Sequence, residues 1–314
     1  MFGVSVRCFQ ANGVFNAFSR RFQAKFVFKA FSSKISGVFG ASDDSAYQRG
    51  ELYKPPFANE PQDYKVLREM QERKRNELLQ SPKRFQRISE REDRSDWPAQ
   101  ANWCQSKGKY VSRYRGFDIC KCPEDFVVYH QMFDLVKPKT VIELGSLSGG
   151  MAIWMADTLK LLEIECNIYS MDLDLSNQSE VVKKLKPENV TFLQGDSCAL
   201  EKTFSKEFLA RLPHPWIFIE DSHVNLDALL RYFHQHCLQG DYMVVEDTSP
   251  ETSKELGMGG VVHDHYVMMG EKQLDCLRDF LEEYSDYYAV DSFLTDLFGY
   301  NGTWHWHGFI RKMK

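Results

Sequence analysis

The sequence predicts an α/β protein built on a Rossmann-like, doubly wound, mostly parallel sheet with an antiparallel C-terminal edge strand. Three observations predict it. From residue 140 onward short apolar runs alternate with segments of helical spacing, the pattern of βαβ units joined by right-handed crossovers. The first run, Thr140–Leu144, passes into Gly145 and then Gly149-Gly150, which is a strand, a tight turn and a helix start. Near the C-terminus two strand-like runs, 287–293 and 303–311, are joined by a turn near Gly299 and Gly302, as an antiparallel pair at one sheet edge requires.

Composition narrows the class. With 314 residues, 43% hydrophobic and 26% charged, the chain has ample material for a buried core and an ordinary globular balance. No apolar run approaches the ~18 residues of a membrane-spanning helix. The formal charge of −5 hides an asymmetry: residues 1–42 hold six basic residues and no acid, so the remainder stands at −11. An acidic body argues against a nucleic-acid partner, which needs a basic face. The eight cysteines include no C-x-x-C pair, Cys120 and Cys122 read as ordinary thiols, and a reducing compartment is expected.

In chain order, residues 1–42 are basic, acid-free and rich in Ser and Phe. They fit a mitochondrial presequence or a disordered segment; otherwise the location is expected to be cytoplasmic. Residues 43–100 form a charged, proline-punctuated extension with a solvated helix over 62–79. The main domain is expected over 101–314. Within it, 115–119 reads as an edge segment and 123–137 as a helix opened by Pro123-Glu124-Asp125. Strand one is Thr140–Leu144, with its helix over 149–162. Strand two is Asn167–Asp172, strand three 189–193 and strand four 215–221. A helix over 225–237 then leads to strand five at 241–246.

Ligands of open α/β sheets sit beyond the carboxyl ends of the strands. After strand one comes the loop holding Gly145, Ser146 and Gly149, where glycine lets backbone approach a ligand closely. After strand two comes Asp172, placed for ribose hydroxyls, and after strand three Asp196, placed for an adenine amino group. A dinucleotide would need G-x-G-x-x-G; here Leu147 stands in place of the middle glycine. Glu143 beside the loop would repel a pyrophosphate but suits the ammonium and sulfonium of S-adenosylmethionine. The ordered set resembles the class I S-adenosylmethionine-dependent methyltransferases.

Strand four ends in Glu220-Asp221-Ser222-His223 and strand five in Glu246-Asp247. Adjacent parallel strands bring four carboxylates to one cleft, where they repel unless a cation sits among them. Hard oxygen ligands favour Mg²⁺. His223 is placed to take a proton near neutral pH.

At these residues the chain resembles the cephalosporin hydroxylase/rhamnosyl O-methyltransferase family. The likeness rests on Tyr114-Arg-Gly116, Pro123-x-Asp125, Val141-Ile-Glu-Leu-Gly145, Met171-Asp-x-Asp174, residues 217–223, Gly240-Asp-Tyr242 and Glu246-Asp247. The resemblance implies a Mg²⁺-assisted O-methyltransferase acting on a hydroxylated small molecule such as a sugar, phenol or diol. It implies that Asp221, Glu246 and Asp247 hold the metal and that His223, with Asp221, is catalytic. Many relatives have Asp-Asp before the histidine where this chain has Glu220-Asp221, which leaves Glu220 open as the ligand. The acceptor and the oligomeric state are not legible.

Three His-x-His pairs occur. His234/His236 fall in a helix and diverge, whereas His305/His307 fall in the last strand, alternating with Trp304 and Trp306. His263/His265 follow Gly257-Met-Gly259-Gly260, a stretch fit for a lid over the cleft. Two other functions remain to be weighed: a non-catalytic S-adenosylmethionine-binding scaffold, and a nicotinamide-dependent oxidoreductase, which Leu147 disfavours.

Overall fold

The computed structural model describes residues 64–185, 187–250 and 270–314. The presequence reading of 1–42 and the lid and histidine pair at 257–265 lie outside the described residues. The chain divides into two compact units, Met1–Arg68 and Glu69–Lys314. Of the first, only 64–68 are described, as the opening residues of α1 (Tyr64–Leu79).

Eight strands form the main sheet of the second unit. In chain order they are β1 (Phe85–Gln86), β4 (Thr140–Leu144), β5 (Asn167–Asp172), β6 (Val190–Gln194), β7 (Trp216–Glu220), β8 (Tyr242–Val245), β9 (Tyr288–Asp291) and β10 (Phe309–Lys312). Their spatial order is β1-β9-β10-β8-β7-β4-β5-β6. The five strands from β8 to β6 run parallel, and β10 is antiparallel to both β8 and β9. The sheet is therefore mostly parallel, with its antiparallel pairing at the C-terminal side. The margin itself is β1, a two-residue strand antiparallel to β9 that no apolar run announces. Residues 113–118 form a separate hairpin, β2 (Arg113–Tyr114) with β3 (Phe117–Asp118), rather than an edge of the main sheet.

Both faces of the sheet are covered, and strand alternation decides which residue goes where. Ile142, Leu144, Phe218 and Met243 face a core closed by α7 (Leu226–His234) and α8 (Glu271–Glu283), through Leu229, Phe233, Leu277 and Phe280. Val141, Ile168, Ile217, Ile219 and Val244 face the other core, closed by α3 (Pro123–Val136) and α4 (Gly150–Leu161), through Val128, Met132, Met155 and Leu159. Pro123 suits the first turn of α3, and Asp125 closes that turn by accepting the N–H of Cys122 at 2.8 Å. The remaining described helices are α2 (Ala99–Lys109) and the short α5 (Glu180–Leu185), α6 (Lys206–Leu209) and α9 (Ser292–Thr295).

Part of the charged N-terminal extension belongs to this unit. Besides β1, the buried Arg91 pairs with Asp296 at 2.7 Å and donates to Nδ1 of His307 at 2.9 Å. The last strand starts later than expected: β10 begins at Phe309, so His305 and His307 sit in turns before it. At the residue before it, Gly308 lies so close to β8 that an added Cβ would be 2.3 Å from the carbonyl oxygen of Val245. Among the described residues no helix is long and apolar enough to cross a membrane.

Candidate active site

At the carboxyl ends of β4, β5, β6 and β7 lies a cavity of about 790 Å³, bordered among others by Gly145, Leu147, Asp172, Asp196, Asp221 and His223. That size suits a cofactor with a small reactant. A larger depression of about 980 Å³ opens at the amino ends of the strands around Lys139, Asn167 and Asn189. The open-sheet rule assigns chemistry to the carboxyl end, and the strand-end acids converge only there.

The loop after β4 is tied to its neighbours by backbone. The N–H groups of Gly145 and Ser146 both donate to the carbonyl of Met171, at 2.8 and 3.1 Å. Asp172 Oδ2 accepts the N–H of Leu147 at 2.7 Å, which holds Leu147 in the left-handed region at φ 43°. Gly145, at φ 100°, has no room for a side chain, since a Cβ would lie 2.4 Å from the carbonyl oxygen of Asp221. The ligand loop and the acidic turn after β7 thus touch main chain to main chain. Gly149 is the N-cap of α4 at φ 79°. Asp196 is exposed and caps the turn at Ser197–Lys202 through the N–H of Cys198. Ser146 Oγ is buried with no hydrogen-bond partner, which fits a loop that meets a polar ligand.

Glu143 lies behind this loop, 1% exposed, and accepts from the Ser170 hydroxyl. Burial drives its carboxyl up to about 8, so it is neutral at pH 7 in this state.

The acids divide into two sets. Glu220 turns inward and is fully buried. Its Oε1 accepts the Ser222 N–H (3.0 Å), the Ser222 hydroxyl (2.7 Å) and the His223 N–H (2.9 Å). These bonds hold His223 in the left-handed region at φ 57°. Asp221 points into the cavity instead. Asp221, His223 and Asp247 each present a ligand atom within 4.8 Å of the other two, an arrangement able to hold a cation. His223 Nε2 stands 3.5 Å from both Asp221 Oδ1 and Asp247 Oδ2.

Glu246 is not in that trio. It is 1% exposed, accepting from Tyr129 at 2.5 Å through Oε1 and from Lys121 Nζ through Oε2. Lys121 also donates to Asp221 Oδ2 at 2.6 Å, so one ammonium joins Glu246 to Asp221. Lys109 performs the same service for Asp247, reaching both carboxylate oxygens at 3.1 and 3.2 Å. His305 braces the turn from below: its Nδ1 accepts the N–H of Asp247 at 2.9 Å, and its Nε2 faces Asp125 at 3.1 Å. Asp247 is thereby fixed at φ 52°. None of Lys109, Lys121, Tyr129 or His305 was marked as a site residue by the sequence.

The electrostatics follow from these contacts. Burial, then the charge of Glu246, push Asp221 up to about 7. Burial opposes ionisation of Glu246, but Lys121 outweighs it and holds that carboxyl down at about 2. Lys109 likewise keeps Asp247 well below the usual range against its burial. Burial works against a charged His223, yet the bond to Asp247 and the charges of Asp221 and Asp247 carry it up to about 9. In this state His223 is an imidazolium among acids.

A family model described as rhamnosyl O-methyltransferase/CmcI matches residues 106–313, well over half of the chain. The chain belongs to this family. Its fold is that of the S-adenosylmethionine-dependent O-methyltransferases. Solved structures of CmcI resemble it at low sequence identity. The apo structure is 25% identical with a TM-score of 0.52, covering 70% of this chain and 85% of that one. A structure titled as CmcI with Mg and SAM is 26% identical with a TM-score of 0.51, covering 70% and 86%. One with SAH is 25% identical with a TM-score of 0.50, covering 70% and 93%. No curated protein matches the chain in sequence.

Proposed function

We propose that this member of the rhamnosyl O-methyltransferase/CmcI family transfers the methyl group of S-adenosylmethionine to a hydroxyl of a small molecule, with assistance from Mg²⁺. The observation that carries the reading is the convergence of Asp221, His223 and Asp247 within 4.8 Å, in a cavity whose adjoining wall is the Gly145 loop. The cofactor is taken by Gly145, Ser146, Gly149, Asp172 and Asp196, with Glu143 behind them. Two carboxylates and a third polar group suit a hard divalent cation, which Asp221 and Asp247 would hold, with Glu246 one residue away. Mg²⁺, when bound, supplies a lowered pKa for the acceptor hydroxyl and offsets the charge of the carboxylates.

The chain's own residues do the rest. The Gly145 loop fixes the methyl donor against the acidic turn, and that positioning supplies most of the acceleration. His223 Nε2 faces the space between Asp221 and Asp247 and receives the hydroxyl proton once their charge is offset. The acid-free segment 1–42 is proposed as a mitochondrial presequence; unchanged distribution of a tagged chain lacking it would remove that idea.

Calorimetric titration with S-adenosylmethionine and with NAD, each with and without Mg²⁺, tests the reading. Saturable binding of S-adenosylmethionine and its demethylation across a panel of sugars, phenols and diols is expected. Tight binding of NAD alone would overturn it. Asp221→Asn retaining full transfer at saturating Mg²⁺ would remove the metal's part.

A further inference from the structure

Every acid expected to hold the metal is already paired with an ammonium group of this chain. Lys121 lies in the loop just before α3, with its side chain 4% exposed, and its Nζ bridges Asp221 Oδ2 and Glu246 Oε2. Glu246 cannot turn elsewhere, because Tyr129 holds its other oxygen. Lys109 spans both oxygens of Asp247 and lies 4.6 Å from the ring centroid of Trp304. Neither lysine is at the surface, where solvent would make such pairs weak. Both are in the interior, where an unpaired carboxylate is costly. The cluster is therefore held together with no ion in it.

A divalent cation held by Asp221 and Asp247 would draw on carboxylates that the chain's own lysines already engage: Lys121 Nζ lies 2.6 Å from Asp221 Oδ2 and Lys109 Nζ 3.1 Å from Asp247 Oδ1. Two cations a few ångströms apart repel strongly, and an ammonium on Asp221 reduces the charge that carboxylate can offer a metal ion. We propose that Lys121 is an internal competitor for the metal, a cation that bridges Asp221 to Glu246 and must give up its hold on Asp221 when an ion binds there. This inference rests on the metal-assisted reading given above. Lys121 then has two effects of opposite sign. It keeps the acids assembled in the metal-free state, and it weakens the affinity for the ion.

Mn²⁺ is a suitable probe, since loss of the free-ion electron paramagnetic resonance signal reports binding without any need for turnover. Lys121→Met, which removes the ammonium and keeps the length of the side chain, is expected to bind Mn²⁺ at least about tenfold more tightly than the wild type. Lys121→Arg, which keeps a cation, is expected to show no such gain. Thermal melts guard against a misfolded variant. Lys121→Met should melt lower than wild type in EDTA, because its acids are then uncompensated, and Mn²⁺ should raise its melting temperature more than it raises that of wild type. Equal or weaker Mn²⁺ binding by Lys121→Met, or no larger thermal rescue, overturns the inference while leaving the metal reading intact. Absence of saturable Mn²⁺ binding to both proteins overturns both.

Discussion

The side-chain amide nitrogen of Gln273, on α8, lies 2.9 Å from Nδ1 of His223. Gln273 is fully buried and also reaches Glu220 Oε2 at 3.4 Å. It therefore grips the histidine by the nitrogen that faces away from the cavity and leaves Nε2 toward Asp221 and Asp247. An amide can present either its NH₂ or its oxygen to Nδ1, so it can serve the neutral and the protonated ring. Gln273→Leu keeps the volume and loses both options. With an acceptor identified by the panel, kcat is expected to fall about 10–100-fold, the range for loss of a residue that orients a functional imidazole. The KM for S-adenosylmethionine should hold. The nitrogen chemical shifts of the His223 ring should change as well; an unaltered ring spectrum with unaltered kcat would remove the positioning role.

Why the sequence shows some of this and not the rest is a matter of distance along the chain. The strand-end acids are legible because each ends a short apolar run, and adjacent parallel strands bring such ends together without further information. The groups that pair with them come from elsewhere: the ammonium of Lys109 lies 138 residues from Asp247, that of Lys121 125 from Glu246, and the neutral hydroxyl of Tyr129 117 from the same acid. No local period marks those positions. Clustered carboxylates require positive charge, but the requirement does not say whether a metal or a lysine supplies it. The one available signal is Lys121 itself, a charged residue between Cys120 and Cys122 at the mouth of an apolar helix. β1 was illegible for a similar reason, as two residues carry no alternation.

The contact between Gly145 and Asp221 can be tested directly. Gly145→Ala would place a methyl carbon 2.4 Å from a main-chain oxygen at a φ of 100°, and β4 and β7, both buried along their whole length, have little room to withdraw. A loss of several kcal/mol is expected, the tail associated with strain at a special backbone conformation. If the variant folds, the turn bearing Asp221 must shift, so affinity for S-adenosylmethionine and for Mn²⁺ should fall together in calorimetry. A fall in cofactor affinity alone would show that the loop and the acidic turn move independently.

Glu220 and Asp221 make different demands on their variants. Glu220 acts through oxygen atoms that accept from the turn, and a glutamine carbonyl can do much of the same. Glu220→Gln is expected to keep near-native Mn²⁺ binding with a modest loss of melting temperature. Glu220→Ala leaves the part-buried N–H groups at Ser222 and His223 without their acceptor, at a cost of up to about 1–3 kcal/mol each, and should be less stable. Abolished Mn²⁺ binding in Glu220→Gln, with the melting temperature preserved, would instead make Glu220 a ligand.

Glu143 predicts a pH dependence of stability in the cofactor-free protein. Its carboxyl is pushed up to about 8 when folded, from the ordinary 4.5 of the unfolded chain, because burial penalises the charged form. Between those values the native state binds more protons than the unfolded state. The contribution of the neutral carboxyl is thus fully present below pH 4.5 and is lost as pH rises through 8. Asp221, also raised by burial to about 7, slopes the same way, so the wild-type curve alone does not isolate Glu143. The difference from Glu143→Gln does: the amide is close in shape, can still meet the Ser170 hydroxyl, and does not ionise. Denaturant melts from pH 5 to 9 should show the wild type losing stability relative to the variant by a few kcal/mol across that window. A difference that stays flat with pH would mean that Glu143 ionises in the fold as readily as in the unfolded chain. Burial would then not be what governs the acid behind the cofactor loop.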